Sequence, residues 1–359
     1  MRNDGYNTVR VLLSYTGLQQ NQTQPGLDAT YMNNFKDFLG LAKNNNMKVI
    51  ITASRPRNYK PIADQVPYPS NMPYVLGNPN IQFLHQGTII AYKQFWRDLI
   101  NNIKGTDPAL LDAVFAYEIW SEPLFNHNLP PFSLGSGTIT VAEGGTYDIS
   151  DAQQMTAMED NSIAYFANQI YDAIRPVDPQ TLITVGVCCP GTQFARLLAV
   201  DKSKVDYLDI HLYPGDGGDG STSLERLNRF LAAAEIEKRD KSRPIIAGEF
   251  GVTYQTYPTS TEATAAAVEM QTVTCSKGFS GWMLWTWDTF SNEQPTPNTS
   301  SFRSALAENE TLNKVLAPIY RPDPCSNTTC DDCQNSDVFL KMNLDNNLSI
   351  GETATKAVD

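Results

Sequence analysis

Apolar and polar positions divide most of the chain into two alternating kinds of segment. Short segments that are almost continuously apolar and rich in Val and Ile are typical of strands buried on both faces. Longer segments with apolar residues every three or four positions are typical of amphipathic helices. The predicted strands cover 8–15, 48–54, 114–120, 182–189, 207–213, 244–251 and 281–287. The predicted helices cover 31–45, 88–104, 152–175, 222–240 and 262–277.

Regular alternation of strand and helix predicts an α/β fold with a parallel sheet. No glycine-rich phosphate loop follows an early strand, which argues against an open nucleotide-binding sheet. The residues that could take part in catalysis or binding instead follow the ends of several strands, as they do in closed barrels. We therefore predict a (β/α)8 TIM-type barrel. Seven strands are one short of closure, which indicates that the first strand is absent and favours a fragment.

The remaining segments predict an insertion and a tail. Residues 124–150 form a long insertion after the third predicted strand, and alternation around a Gly-Gly pair within it predicts a β-hairpin. The composition turns polar near the C-terminus. The domain prediction is a barrel domain over 1–322, incomplete at its N-terminus, and a Cys-containing, partly disordered polar tail over 323–359.

Charge and hydropathy argue against nucleic acid and membranes as partners. The net charge is −12 and no basic stripe is present, so we expect no nucleic-acid partner. No run of eighteen apolar residues occurs, so we expect no membrane insertion.

The chain has six cysteines, and their pattern bears on its compartment. Three thiolates in the tail, at Cys325, Cys330 and Cys333, could bind zinc, but disulfides in an oxidising compartment are the favoured interpretation. The adjacent Cys188 and Cys189 are interpreted as two buried thiols. Five Asn-x-Ser/Thr sequons also fit secretion, at Asn21, Asn298, Asn309, Asn327 and Asn347. We predict a secreted protein whose signal peptide is not in this chain.

Two predicted strands end in a carboxylate. "VFAYEIWSEP" places Glu122 at the end of an apolar strand, and "PIIAGEFG" does the same for Glu249. A carboxylate at such a position is costly unless something pairs with it or uses it. Two of them at strand ends of one barrel favour a catalytic function. Glu118 shares a strand face with Glu122, and we interpret it as a buried residue bonded within the barrel. His85 and His127 lie in predicted loops, and we expect both at the surface or at the rim of a cleft.

Several motifs together resemble glycoside hydrolase family 5 and its relatives in clan A. "YEIWSEP" is similar to the acid/base motif and "IIAGEFG" to the nucleophile motif of that family. "NTVRVLLSY", "LDIHLYPG" and "GWMLWTWDT" resemble its second, sixth and eighth barrel strands. The resemblance covers roughly residues 5 to 320 and implies the barrel fold.

The resemblance also implies roles for particular residues. Glu122 matches the acid/base and Glu249 the nucleophile of a retaining mechanism, in which two carboxyls stand about 5–5.5 Å apart. The matching support residues are Arg10 beside the nucleophile, His211, Tyr213, which could donate a hydrogen bond to Glu249, and Trp285, a face on which a sugar ring stacks; Trp287 is a second candidate for stacking. Ser121 stands where the family normally has Asn, which binds the sugar 2-hydroxyl. We expect weaker catalysis or an altered preference there.

The predicted function is hydrolysis of β-glycosidic bonds in a glucan or mannan-type carbohydrate by double displacement. Water is the second substrate, and we expect no cofactor, no metal and a monomeric protein. The alternative is a catalytically weak or inactive carbohydrate-binding barrel, which Ser121 and the absent first strand favour. A zinc-dependent hydrolase that uses the tail cysteines is the third interpretation.

Overall fold

The computed structural model describes residues 1–18, 25–53, 57–75, 77–214, 221–253, 256–287, 310–321 and 324–327. Several predictions lie outside these residues: the cysteines Cys330 and Cys333, the sequons at Asn21, Asn298, Asn309 and Asn347, and the tail after residue 327. The predicted domain boundary after residue 322 stays a prediction.

Strands and helices alternate in the predicted order. The strands are β1 (Thr8–Leu12), β2 (Lys48–Thr52), β3 (Val114–Ser121), β4 (Thr138–Thr140), β5 (Thr146–Asp148), β6 (Leu182–Val187), β7 (Leu208–Leu212), β8 (Ile245–Phe250) and β9 (Gly281–Leu284). The helices are α1 (Tyr15–Leu18), α2 (Ala29–Asn44), α3 (Lys60–Ala63), α4 (Ile81–Leu84), α5 (Gln86–Thr106), α6 (Ala152–Ile174), α7 (Leu197–Asp201), α8 (Ser223–Ala233), α9 (Ser260–Ser276) and α10 (Glu310–Leu316).

The chain forms two compact units. The N-terminal unit holds residues 10–187 and 191–206, and the C-terminal unit holds residues 1–9, 188–190 and 207–359 as far as they are described. In the N-terminal unit β3 pairs in parallel with β2 and β6, and in the C-terminal unit β8 pairs in parallel with β7 and β9. Strand-helix alternation with parallel pairing confirms the predicted barrel-type α/β class, with seven of its strands in the described residues.

Side-chain caps set where the long helices begin. Asp28 accepts a hydrogen bond from the Tyr31 N–H at the start of α2. Thr222 and Thr259 each form a reciprocal capping box at the starts of α8 and α9. The predicted helix 222–240 is shorter than expected, because Glu235 adopts a left-handed φ of 54° and only a 3-10 turn follows. The predicted hairpin is present as the antiparallel pair β4–β5.

Two cysteine pairs are disulfide-bonded. Cys188 and Cys189 form a disulfide between adjacent residues, so the interpretation as two thiols is wrong. Cys275, at the end of α9, is bonded to Cys325. Cys325 is therefore not available as a zinc ligand, and the disulfide interpretation is confirmed for this tail cysteine. Among the described helices, none is both long enough and apolar enough to cross a lipid bilayer.

Candidate active site

The two predicted catalytic carboxylates lie at the ends of strands in different units. Glu122 follows the last residue of β3 in the N-terminal unit, and Glu249 lies within β8 in the C-terminal unit.

A buried ion pair lies along β3 before Glu122. Glu118 is fully buried, and Arg10 of β1 donates to it through Nε and through Nη2, with 2.8 Å from Nη2 to Oε1. Thr52, at the end of β2, donates from Oγ1 to Oε2 of Glu118 over 2.5 Å. The interpretation of Glu118 as a buried, bonded residue is confirmed. The predicted role of Arg10 beside Glu249 stays a prediction.

Ser121 and Glu122 mark the point where the chain leaves β3. Arg10 also donates from Nη2 to Ser121 Oγ over 3.0 Å. Glu122 has a left-handed φ of 55°, a backbone conformation that costs a non-glycine residue about 1–3 kcal/mol. Its N–H donates to the Gly186 carbonyl on β6 over 2.8 Å. The backbone bond and the sharp turn leave the Glu122 side chain half-buried at the carboxyl edge of the strand.

An aromatic cluster supports the end of β3. Trp120 packs edge-on against Phe83, with ring centroids 4.7 Å apart, and its ring lies 5.2 Å from that of Tyr92. Phe166 of α6 contacts all three rings. These aromatic residues are buried, so the backbone just before Ser121 is held in a tightly packed core.

The segment after Glu122 is held by the loop that follows β6. The Pro123 carbonyl accepts from the Ala195 N–H over 2.8 Å, and the Phe125 N–H donates to the Gln193 carbonyl over 2.9 Å. Further along, His127 Nε2 lies 2.5 Å from Oε1 of Glu159 on α6. Burial raises the pKa of Glu159. His127 is half-exposed and lies in a loop, as the sequence predicts.

Glu249 is surrounded by side chains from β7 and the residues after it. The Tyr213 hydroxyl donates to Glu249 Oε2 over 2.8 Å, so the predicted hydrogen bond is present. His211 pairs with Glu249 in the register of β7 and β8, and its Nδ1 lies 3.7 Å from Glu249 Oε1. His211 is fully buried and Glu249 is 7% exposed. The carboxylate is therefore held with little freedom to rotate.

The tryptophans after β9 are half-buried. The Trp285 N–H donates to the Phe250 carbonyl over 2.9 Å, which ties this segment to β8 next to Glu249. Trp287 packs edge-on against Tyr6, with ring centroids 5.9 Å apart. Burial raises the pKa of Tyr6, whose hydroxyl donates to Asn313 on α10. Trp287 thus has a packing partner, Tyr6, within its own unit, and the stacking role of both tryptophans stays a prediction.

Sequence reasoning missed Thr52 and misplaced His85. Thr52 ends an apolar strand, and only its polarity among apolar neighbours could have marked it. His85 was expected in a surface or rim loop, but it is 2% exposed and caps α5 by accepting from the Thr88 N–H. Its ring stacks on Tyr68, and burial lowers the pKa of His85. Histidine is an uncommon cap, so the sequence gives no signal for this position.

Comparison with known proteins places this barrel among the glycoside hydrolases. The sequence model of the cellulase family, glycosyl hydrolase family 5, matches residues 1–291. The chain belongs to glycosyl hydrolase family 5. No curated protein matches it by sequence.

Solved structures share its fold at low sequence identity. An exo-β-1,4-mannosidase, Op5Man5, from Opitutaceae bacterium strain TAV5 is 14% identical with a TM-score of 0.58, over 90% of this chain. The chain spans only 54% of that mannosidase. Endo-glycoceramidase II from Rhodococcus sp., solved as a lactosyl-enzyme intermediate, is 19% identical with a TM-score of 0.51 over 86% of this chain and 70% of its own. A β-glucosidase, 1317, is 12% identical with a TM-score of 0.53 over 87% and 81%.

Proposed function

We propose that the protein is a retaining β-glycoside hydrolase with Glu249 as nucleophile and Glu122 as acid/base. The observation that carries the proposal is the hydrogen bond from the Tyr213 hydroxyl to the buried carboxylate of Glu249. A nucleophile has to present one oxygen along a defined line, and a donor on the other oxygen restrains the rotation of the carboxylate. A neutral donor also leaves the negative charge in place for attack.

The reaction proceeds in two displacements. Glu249 attacks the anomeric carbon and forms an ester bond to it while the glycosidic carbon–oxygen bond breaks. Glu122 gives its proton to the departing oxygen. In the second step Glu122 takes a proton from water, the water oxygen attacks the anomeric carbon, and the carboxylate of Glu249 leaves. The sugar keeps its configuration, and no redox change occurs.

We further propose a β-linked glucan or mannan-type carbohydrate as the substrate. Trp285 supplies a flat apolar surface suited to one face of a pyranose ring. The solved structures of similar fold include an exo-β-1,4-mannosidase and a β-glucosidase, which act on these two sugar series. A monomer in an oxidising, extracellular location is also proposed, and the two disulfides fit that compartment.

The test combines turnover with covalent trapping. Purified protein is assayed with aryl β-glucosides and β-mannosides, and is then incubated with the 2-deoxy-2-fluoro analogue of the better substrate. We expect turnover and a mass increase of one fluoroglycosyl group on the peptide that contains Glu249. Glu249→Ala should abolish both, while Glu237→Ala, at an exposed salt-bridge position, should leave both unchanged. Turnover without any covalent adduct would contradict the retaining mechanism.

Ser121 favours a second candidate function, carbohydrate binding without turnover. Its hydroxyl has a shorter reach than an Asn amide and cannot donate and accept in one plane. Calorimetry with oligosaccharides separates the two candidates. Binding of an oligosaccharide that is recovered intact after prolonged incubation would support the binding function over hydrolysis.

A further inference from the structure

A charged and hydroxyl-bearing network precedes Glu122 along β3. The side chain of Glu118 is 0% exposed and that of Arg10 is 4% exposed. Arg10 holds both oxygens of Glu118, through Nε and Nη2, in a two-point contact. Neither charge is tolerated alone at such burial, so each fixes the position of the other.

The network ends on the residue next to Glu122. Arg10 Nη2 donates to Ser121 Oγ as well as to Glu118. A guanidinium has only donors, so Ser121 has to accept, and its own O–H proton is turned away from Arg10. The adjacent positive charge also strengthens Ser121 as a donor. Ser121 is therefore set as a hydrogen-bond donor directly before Glu122 in the chain.

We propose that Glu118 is a positioning residue that acts through Arg10 to hold Ser121 as a hydrogen-bond donor to one sugar hydroxyl. The proposal rests on the proposed function in that a sugar is bound next to Glu122. Thr52 completes the arrangement, because its hydroxyl donates to the Glu118 oxygen that also accepts from Arg10 Nε. With three donors on two oxygens, the Glu118 carboxylate has a single favourable orientation, and Arg10 follows it.

A purely structural role for Glu118 makes a different prediction. If the pair only stabilises the fold, changing it lowers the amount of folded protein but not the preference of the folded protein among sugars. The ratio of kcat/KM for a parent glycoside to kcat/KM for its monodeoxy counterpart is independent of the folded fraction. This ratio therefore separates positioning from stability.

The experiment measures that ratio for each monodeoxy form of the aryl β-glycoside that the wild type hydrolyses. Ser121→Ala should lower the ratio at one hydroxyl by about tenfold, the effect of one hydrogen bond. Thr52→Val and Glu118→Gln should lower the ratio at the same hydroxyl, and Thr52→Ser should restore it. In Glu118→Gln an amide NH2 faces the donors of Arg10; if that variant does not fold, Thr52→Val carries the test.

The matched control is Thr181→Val. Thr181 is buried in the same unit and donates to the Asp178 carboxylate over 2.6 Å just before β6 begins. The Thr181→Val variant should lose a similar hydrogen bond, with no change in the ratio of kcat/KM between the parent and monodeoxy glycosides. An unchanged ratio in Thr52→Val, with turnover intact, overturns this inference alone. If sugars bind without turnover, dissociation constants replace kcat/KM; if no sugar binds or reacts, the inference and the proposed function both fail.

Discussion

The ends of β3 and β8 carry the same side chain in two different settings. Glu122 follows β3 on a left-handed turn and is half-buried, whereas Glu249 remains within β8 and is 7% exposed. Charges lie before Glu122, in the pair of Glu118 and Arg10. Glu249 accepts from the neutral hydroxyl of Tyr213, and His211 Nδ1 lies 3.7 Å from its Oε1. The contrast fits the two proposed roles: a restrained group suits attack, and a group at the strand edge suits proton exchange with a leaving oxygen and with water.

Of the changes at these two strand ends, removal of Glu249 should have the largest effect on activity. Glu249→Ala deletes the proposed nucleophile, so kcat should fall by roughly 10⁴-fold or more for every aryl β-glycoside, whatever its leaving group. Added azide should restore turnover with inversion at the anomeric carbon, because the small anion fits the space of the lost carboxylate. Residual activity within tenfold of the wild type would remove Glu249 from the mechanism.

Removal of Glu122 should give a smaller effect that depends on the leaving group. Glu122→Ala should lower kcat/KM by about 10²- to 10⁴-fold for glycosides with poor leaving groups, which need a proton. Dinitrophenyl glycosides need little protonation, so their first step should be nearly unaffected and an intermediate should accumulate. Burst kinetics measures this difference. Equal losses for good and poor leaving groups would mean that Glu122 is not the proton donor.

Removal of the Tyr213 hydroxyl should lower activity less than removal of either carboxylate. Tyr213→Phe removes one hydrogen bond to Oε2 and keeps the ring, so we expect kcat to fall about tenfold with a smaller change in KM. Steady-state kinetics on one aryl glycoside tests this. Tyr171→Phe, in the N-terminal unit, is the matched control, since its hydroxyl lies at 3.5 Å from Asp206. A similar loss in both variants would show a general effect of removing a tyrosine hydroxyl.

The titration of His85, in the N-terminal unit, should have the smallest effect. It should change the stability of the fold and not catalysis. Burial lowers the pKa of His85 below its unfolded value near 6.5. Below pH 6.5 the unfolded chain binds a proton that the folded chain does not, so stability present at pH 7.5 is lost on acidification, by at most about 1.4 kcal/mol at pH 5.5. His85→Asn keeps an N-cap acceptor and should lose this slope.

Urea unfolding at pH 7.5, 6.5 and 5.5 measures the His85 contribution as the difference between wild type and variant. Other titrating groups cancel in that difference. Equal slopes in the two proteins would show that His85 does not contribute to the pH dependence of stability.

The sequence was sufficient for the order of elements and for the strand ends that carry carboxylates. Apolar runs predict strands because a strand buried on both faces cannot carry many polar residues. All seven predicted strands are present, although the first ends at Leu12 and not at residue 15. The break at Glu235 could not be predicted, because neither Gly nor Pro marks it.

Contacts between residues far apart in the chain could not be predicted from sequence patterns. The pairing of Arg10 with Glu118 joins positions 108 residues apart, and strand patterns indicate which side chains share an edge but not which of them bond. The hydrogen bond from Tyr213 to Glu249 came from family resemblance and not from spacing. For Cys188 and Cys189, the Cα atoms of adjacent residues lie 3.8 Å apart, closer than the roughly 4.4–6.8 Å usual for a disulfide, so the sequence favoured two thiols.

The bond between Cys275 and Cys325 encloses a stretch of chain with a sequence separation of 50 residues. A protease that cuts once anywhere inside this stretch leaves both products covalently attached to each other. Such a nicked protein would migrate as one band in a denaturing gel without reductant and as two bands after reduction. The backbone can thus be cut here without release of the C-terminal piece.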